Sequence, residues 1–476
     1  MKNLSTTLFI ILIGLCLTHT VSSEKCIQYL NPLNSKENRV FDCLMASPAQ
    51  KRQLPTPPAS DNMFNVQFNC LVNDKALCSK VENVFVTAGR FITATLNLKA
   101  VISVNATFLN FCEVNIAPGI DCNNPNKVIL GAAGPAMVIP YKDETADKVR
   151  LYPQALYKQL GLPSHPQFGP NEIMAVFNSA ANYWFEGDPL PMPERQADML
   201  LVVTHELIHG LGFTTAWDDL FGINALTPVI AGITDDDASS KAPGGVIPKE
   251  PNAPAGSSLQ FLELIFDKFM ILTADGIQMT TQTDELNKFQ IDVQNIKSEE
   301  QLVQAFMASP QYKVAQGLFQ KATTSGSMGF KTISGDVVIL ETSLLPFQSS
   351  SSIGHVDFAT YKNSSDFLMV FRSPTATLGQ MMATAGSIDT YGPIGPLLRG
   401  ILQSMGYEIK DKYVPPVELP SAKFPNKEPF AIKPVPDDVN EGTNNKKMSN
   451  NGRINSPIGI NVLIIALACI LVTLFM

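Results

Sequence analysis

Apolar residues return at helical spacing through "LCSKVENVFVTAGRFITATL" (77–96), and that period predicts an amphipathic helix. The next stretch, "AVISVNATFLNF" (100–111), alternates apolar and polar positions as a half-buried strand does. "KVILGAAGPAMVI" (127–139) and "NEIMAVFNSAANYWF" (171–185) are rich in β-branched and aromatic residues and read as strands or their approaches, with Gly and Pro marking turns. Within "MPERQADMLLVVTHELIHGLGF" the chain runs from Glu194 to Gly210 without an intervening Gly or Pro, which predicts a helix ending in the Gly210/Gly212 region. "IGPLLRGILQSMGY" (394–407) again has helical apolar spacing and reads as scaffold. Helix, strands and helix in this order indicate an α+β domain, expected over residues 62–409.

The ends are patterned differently. Lys2 precedes an apolar run from Leu8 to Leu17, and Val21 and Ser23 supply small or β-branched residues, so residues 1–23 read as a secretory signal cleaved before Glu24. Residues 24–61 form a short N-terminal segment ending in the Pro-rich "AQKRQLPTPPAS". Seven prolines lie between Asp411 and Asn440 with no periodic apolar face, so 410–450 reads as an extended stalk. A short polar spacer then leads to an apolar run from Val462 to the last residue, the arrangement of a glycosylphosphatidylinositol signal (451–476). Asn450, followed by Asn451 and Gly452, is the expected attachment residue, with Ser449 as its neighbouring alternative. The expected location is the secretory pathway and the outer face of the plasma membrane.

Composition narrows the chemistry. A chain of 476 residues with 45% hydrophobic content can build a large core, and a net charge of -8 without a basic aromatic stripe argues against a nucleic-acid partner. Cys16 leaves with the signal and Cys469 with the tail. Cys26, Cys43, Cys70, Cys78, Cys112 and Cys122 remain, an even set that in an exported chain points to three disulfides of undetermined pairing. Asn105 ("NAT") and Asn363 ("NSS") are candidate N-glycosylation sites.

His205, Glu206 and His209 form a complete H-E-x-x-H on the predicted helix. One helical turn separates the two imidazoles, so both face a single ion, while Glu206 projects beside them as a general base rather than a ligand. Zinc is the expected cofactor, one ion per chain, and hydrolysis by activated water the expected chemistry. A third ligand is needed. The position six residues after His209 is Thr215, not histidine. Candidates are a glutamate in "FLELIFDKF" or "TDELNKF", His165 in "LPSHPQFGP", and His355 in the Ser/Gly-rich "SSIGHVDF", whose loop-like setting suits it best.

"HELIHGLGF" (205–213), "GHVDF" (354–358), "DFLM" (366–369) and "IDTYGPIGPLLRGILQSMGYEI" (388–409) together resemble the leishmanolysin-like (invadolysin-type) zinc metalloproteases of the metzincin group. The chain would be a divergent member, because no cysteine lies between Cys122 and Cys469. The resemblance implies a zincin-like domain with a mixed sheet, an active-site helix and a large insertion, about 218–353, before the third ligand. It implies that His205, His209 and His355 hold zinc, that Glu206 is the base, and that Met369 is the methionine of a tight turn under the metal, with Met381 and Met382 as other turn positions. A cell-surface endopeptidase acting on extracellular proteins or peptides follows from the same likeness. "NEIMAVFNSAANYWF" then falls where zincins place the cleft-edge strand that pairs with an extended peptide. The competing reading is a catalytically inactive zincin-like adhesion or binding protein at the cell surface. An intact Glu206 separates the two, since a structural zinc needs no adjacent base.

Overall fold

A computed structural model describes residues 25–34, 37–46, 61–114, 116, 128–142, 148–231, 259–291, 296 and 298–425. All of them belong to one unit that extends to residue 431. The expected signal (1–23), Cys122, Asn450 and the expected anchor signal lie outside the described residues. Among the described residues no helix is long and apolar enough to cross a membrane.

Lys25–Tyr29 (β1) and Asn38–Asp42 (β2) pair antiparallel, and the Cys26–Cys43 disulfide ties them together. Phe64–Cys70 (β3) leads into Lys75–Thr95 (α1), where Asp74 caps the helix by accepting from the Leu77 N–H at 3.0 Å. The Cys70–Cys78 disulfide joins the end of β3 to the first turn of α1. Cys112 is disulfide-bonded as well. Ile102–Leu109 (β4), Gly131–Pro135 (β5), Met137–Tyr141 (β6), Arg150–Pro153 (β7), Gln154–Gln159 (α2) and Ile173–Asn178 (β8) follow. β1 pairs with β6, and β6 with β7, so the N-terminal segment is woven into the main domain rather than attached to it.

The principal sheet has the order β3-β4-β8-β5, with β3, β4 and β8 parallel and β5 antiparallel. Along β4 the alternation seen in the sequence is physical: Ile102, Val104, Ala106 and Phe108 are fully buried, whereas Ser103, Asn105 and Thr107 are half-exposed on the other face. Asn105 thus lies within a paired strand, its Oδ1 accepting from Asn69 at 3.2 Å, while Asn363 is exposed in a turn. The expectation that "NEIMAVF" forms the cleft edge is corrected by this order. β8 runs between β4 and β5 and is buried on nearly all its length, as a strand apolar on both faces must be. The edge is β5, "GAAGP", whose Pro135 could not serve an interior ladder.

Tyr183–Trp184 (β9) and Ala197–Asp198 (β10) pair in parallel and precede Met199–Gly210 (α3). The helix begins at Met199 rather than near Glu194, because Asp198 is still extended and its Oδ1 caps the Leu200 N–H at 2.9 Å. Its Oδ2 accepts from Leu378 N at 2.6 Å, so one buried acid fixes two helix starts. Every residue of α3 except His205 is buried, the pattern of a helix enclosed on all sides. Gly210 permits this, since a side chain there would collide with Ile173 on β8. At Gly212 the backbone takes φ +110°, and a Cβ would meet Pro153 Cγ at 2.5 Å.

The remaining elements are Val229–Ala231 (β11), Gln260–Leu262 (β12), Met270–Leu272 (β13), Met279–Leu286 (α4), Glu299–Met307 (α5), Pro310–Ala322 (α6), Met328–Lys331 (β14), Val337–Ile339 (β15), Phe358–Tyr361 (α7), Leu378–Ala385 (α8) and Pro396–Met405 (α9). The expected insertion contributes β11 to β15 and α4 to α6, and Phe261, Phe266, Leu302, Phe306 and Phe330 share one core with α3. The expected stalk needs correction at its start. Residues 411–425 fold back on the domain: Tyr413, Leu419 and Ser421 are buried, and Ser421 donates to Glu186 through both its N–H (2.8 Å) and its hydroxyl (2.7 Å). Scattered apolar residues between prolines dock singly, which no periodic pattern announces.

Gly212→Ala combines a left-handed backbone with a steric clash and is expected to cost about 1–3 kcal/mol, seen as a lower urea midpoint at unchanged slope. Gly134→Ala, where no atom lies within 4 Å of the added methyl, should change stability by less than about 0.5 kcal/mol.

Candidate metal centre

Helix α3 presents His205 and His209 one turn apart, and a loop brings His355 to them from 146 residues beyond His209. The three Nε2 atoms form a near-equilateral triangle: 3.1 Å between His209 and His205, 3.1 Å between His209 and His355, and 3.2 Å between His205 and His355. Among the described residues this is the one cluster whose ligand atoms could share a metal ion.

The other ring nitrogens decide what these contacts are. His205 Nδ1 lies 2.6 Å from Leu368 O, His209 Nδ1 2.7 Å from Phe213 O, and His355 Nδ1 3.0 Å from Ser351 O. A carbonyl oxygen only accepts, so each Nδ1 carries the proton and donates it. Burial draws His205 down to about 4 and, with the neighbouring His205 charge, His209 down to about 3; His355 is lowered well below its ordinary value for the same reasons. All three rings are therefore neutral at pH 7 with bare lone pairs at Nε2. Three converging lone pairs cannot hydrogen-bond to one another and repel. A tetrahedral zinc shell with bonds of about 2.0–2.1 Å sets its nitrogens roughly 3.3 Å apart, so the donor set fits zinc in element, tautomer and spacing.

Glu206 follows His205 on α3 and is 8% exposed, with its Oε2 accepting from the Ala133 N–H of β5 at 2.8 Å. Burial pushes its carboxyl up to about 8, against the lowering effect of that hydrogen bond. Tyr183, raised by its own burial and by the Glu206 charge, donates to Leu130 O at 2.5 Å just ahead of β5. The edge strand thus aims the acid. Sequence reading missed this contact because a backbone N–H of alanine leaves no signature.

The other candidate ligands are engaged elsewhere. His165 is buried against Phe168, with rings stacked 4.5 Å apart, and its Nδ1 meets Pro166 O at 2.8 Å. Glu263 of "FLELIFDKF" is held by Arg150 at 3.0 Å and by Thr280 and Thr283. Glu285 of "TDELNKF" pairs with Lys288. Met369 ends a 3-10 turn, Phe367–Met369, and is fully buried directly after the Leu368 carbonyl that holds His205. Met381 and Met382 lie in α8. Thr215 donates to Asp267 at 2.6 Å, tying the chain after α3 to the insertion.

No solved structure matches the chain. A curated relative from Schizosaccharomyces pombe, described as an uncharacterized protein, is 27% identical over 396 residues. The match covers 74% of this chain and 64% of that relative, less than two thirds of its length. A family model described as SPBPB7E8-like matches residues 16–427, which include both α3 and His355, and the chain belongs to that family.

Proposed function

We propose that the protein is a zinc-dependent endopeptidase with a zincin-like catalytic domain, acting on extracellular proteins or peptides at the cell surface. The observation that carries this reading is the convergence of three neutral, lone-pair-bearing Nε2 atoms beside a buried acid. His205, His209 and His355 would hold the ion, and three protein ligands leave a tetrahedral shell open on one side, as a catalytic site requires. Bound zinc supplies Lewis acidity that makes water nucleophilic near neutral pH and polarises a carbonyl.

The chain's own residues do the rest. Leu368, Phe213 and Ser351 carbonyls fix the tautomer that exposes each Nε2. Ala133 N–H anchors Glu206 Oε2, and the positive charge of a bound zinc would draw the raised carboxyl back to its ionised form, leaving Oε1 to take a proton from water and return it to the leaving amine. Peptide bonds are the favoured substrate because that leaving group needs the returned proton. Secretion and lipid anchoring are proposed from the sequence of the two ends.

The full chain should bind one zinc ion. His355→Ala should lose stoichiometric metal and His165→Ala should keep it, measured by elemental analysis after dialysis; full metal retention in His355→Ala rules out this third ligand. Glu206→Gln should retain zinc while peptide cleavage falls by about 10² to 10⁴. Equal cleavage by wild type and Glu206→Gln would remove the base from the proposal, and bound zinc with no cleavage by wild type would favour a binding protein. Phosphatidylinositol-specific phospholipase C should release the native protein from membranes; a treated protein that stays membrane-bound contradicts lipid anchoring.

A further inference from the structure

His205 and His209 are held by the ladder of α3, but His355 sits on no regular element. Its loop contains two non-glycine residues with positive φ, Ser350 at +70° and Ile353 at +54°. For a β-branched residue such as Ile353 this conformation is strained and persists only where the surroundings over-determine it. Glu341 is a principal tie on the loop, alongside the Gln348 carbonyl, which accepts from Ser351 N at 3.0 Å and Ser352 N at 2.8 Å.

Glu341 grips the loop on both sides of His355. Its N–H donates to His355 O at 2.8 Å, and its carbonyl accepts from the strained Ile353 N–H at 2.7 Å. Its carboxylate reaches across the loop: Oε2 accepts from Phe358 N at 3.0 Å, and Oε1 accepts from Ser343 N at 2.8 Å and Ser343 Oγ at 2.5 Å. The short antiparallel contact continues with Asp357 N donating to Ile339 O at 2.9 Å, and Val356 also bridges in parallel to Val370, its N–H donating to Met369 O at 2.9 Å. Glu341 is fully buried, and among the described residues no lysine or arginine pairs with it. A buried acid without a cation is costly unless its oxygens are satisfied, and every donor that satisfies this one belongs to its own turn or to the far arm of the His355 loop.

We propose that Glu341 is a positioning residue for the metal centre, fixing the backbone on both sides of His355 so that its Nε2 meets those of α3. The inference rests on the zinc reading above. Glutamine at 341 keeps size and one carbonyl oxygen, but its amide nitrogen cannot accept from Phe358 N–H or from Ser343, so one arm of the clamp opens.

The test is zinc affinity of the full chain, measured by competition with a fluorescent chelator, in wild type, Glu341→Gln, His355→Ala and the double variant. Outer-shell substitutions at metal sites commonly weaken binding 10- to 100-fold, so Glu341→Gln should lose about tenfold or more. In the His355→Ala background the same substitution should change affinity less than about twofold, because a residue acting only through His355 has nothing left to position. General destabilisation would instead give the same loss in both backgrounds. Cobalt-substituted Glu341→Gln should also show weakened visible tetrahedral bands. Unchanged affinity in folded Glu341→Gln, or equal losses in both backgrounds, overturns the inference, whereas a wild type that binds no zinc overturns the underlying reading. If Glu341→Gln does not fold, Ser343→Ala, which removes one donor to the same carboxylate, takes its place in the cycle. A severalfold loss that disappears with His355 supports the clamp, and no loss overturns it.

Discussion

Three imidazole lone pairs are held within 3.2 Å of one another in a largely buried site, and much of the surrounding architecture exists to make that arrangement tolerable. Each ring must donate its Nδ1–H to a carbonyl, and the three carbonyls come from three different parts of the chain. Phe213 O is available because the backbone turns sharply at Gly212 immediately after α3. Leu368 O is presented by the 3-10 turn ending at Met369, and Ser351 O by the strained loop ahead of His355. Strain of this type costs on the order of 1–3 kcal/mol per residue, and complete burial of Ile353 returns roughly 2 kcal/mol. Packing of Ile353 and the Glu341 hydrogen bonds both act against that strain.

The insertion is part of this support. At Thr215, where a closely spaced zinc motif would carry its third histidine, the side chain donates to Asp267, and Ala216 N–H donates to the same carboxylate at 3.1 Å. Burial pushes Asp267 up to about 7, with the nearby Glu263 charge adding to the rise. Glu263 is in turn paired with Arg150 of β7 at 3.0 Å, with almost no exposure on either side. Replacing such a buried pair with apolar residues is often neutral, but removing one member alone strands a buried charge and is strongly destabilising. The network fixes the insertion's first strands against the chain leaving α3, while the returning end of the insertion delivers His355.

Periodicity made α1, β4 and α9 readable because each buries one face of a regular element. The H-E-x-x-H was readable because its spacing is local. His355 emerged only by elimination and resemblance, since a contact across 146 residues leaves no trace in spacing. The edge strand was assigned to the wrong segment for a physical reason: "GAAGP" has too little side chain to show a period, whereas the apolar "IMAVF" looks like a strand wherever it lies. The start of α3 was displaced because nothing in composition separates a capping Asp198 from a helical one. Glu341 and the three carbonyls act through backbone contacts that residue identity does not encode.

The edge strand shows how one sequence meets two demands. Edges of sheets invite pairing with other chains, and this edge lies beside the metal centre. Ala132 and Gly134 face β8 in the ladder, because the flanking residues Leu130 and Ala136 bond to Asn178 and Glu172; Gly131, Ala133 and Pro135 therefore face outward. Of these, Pro135 has no N–H, and Ala133 gives its own to Glu206. Only Gly131 retains an outward donor not committed in this way, so the strand offers too few donors for a continuous ladder with another copy. The N–H that would have made the edge adhesive is the one that orients the acid, which places protection of the edge and alignment of the base on a single hydrogen bond.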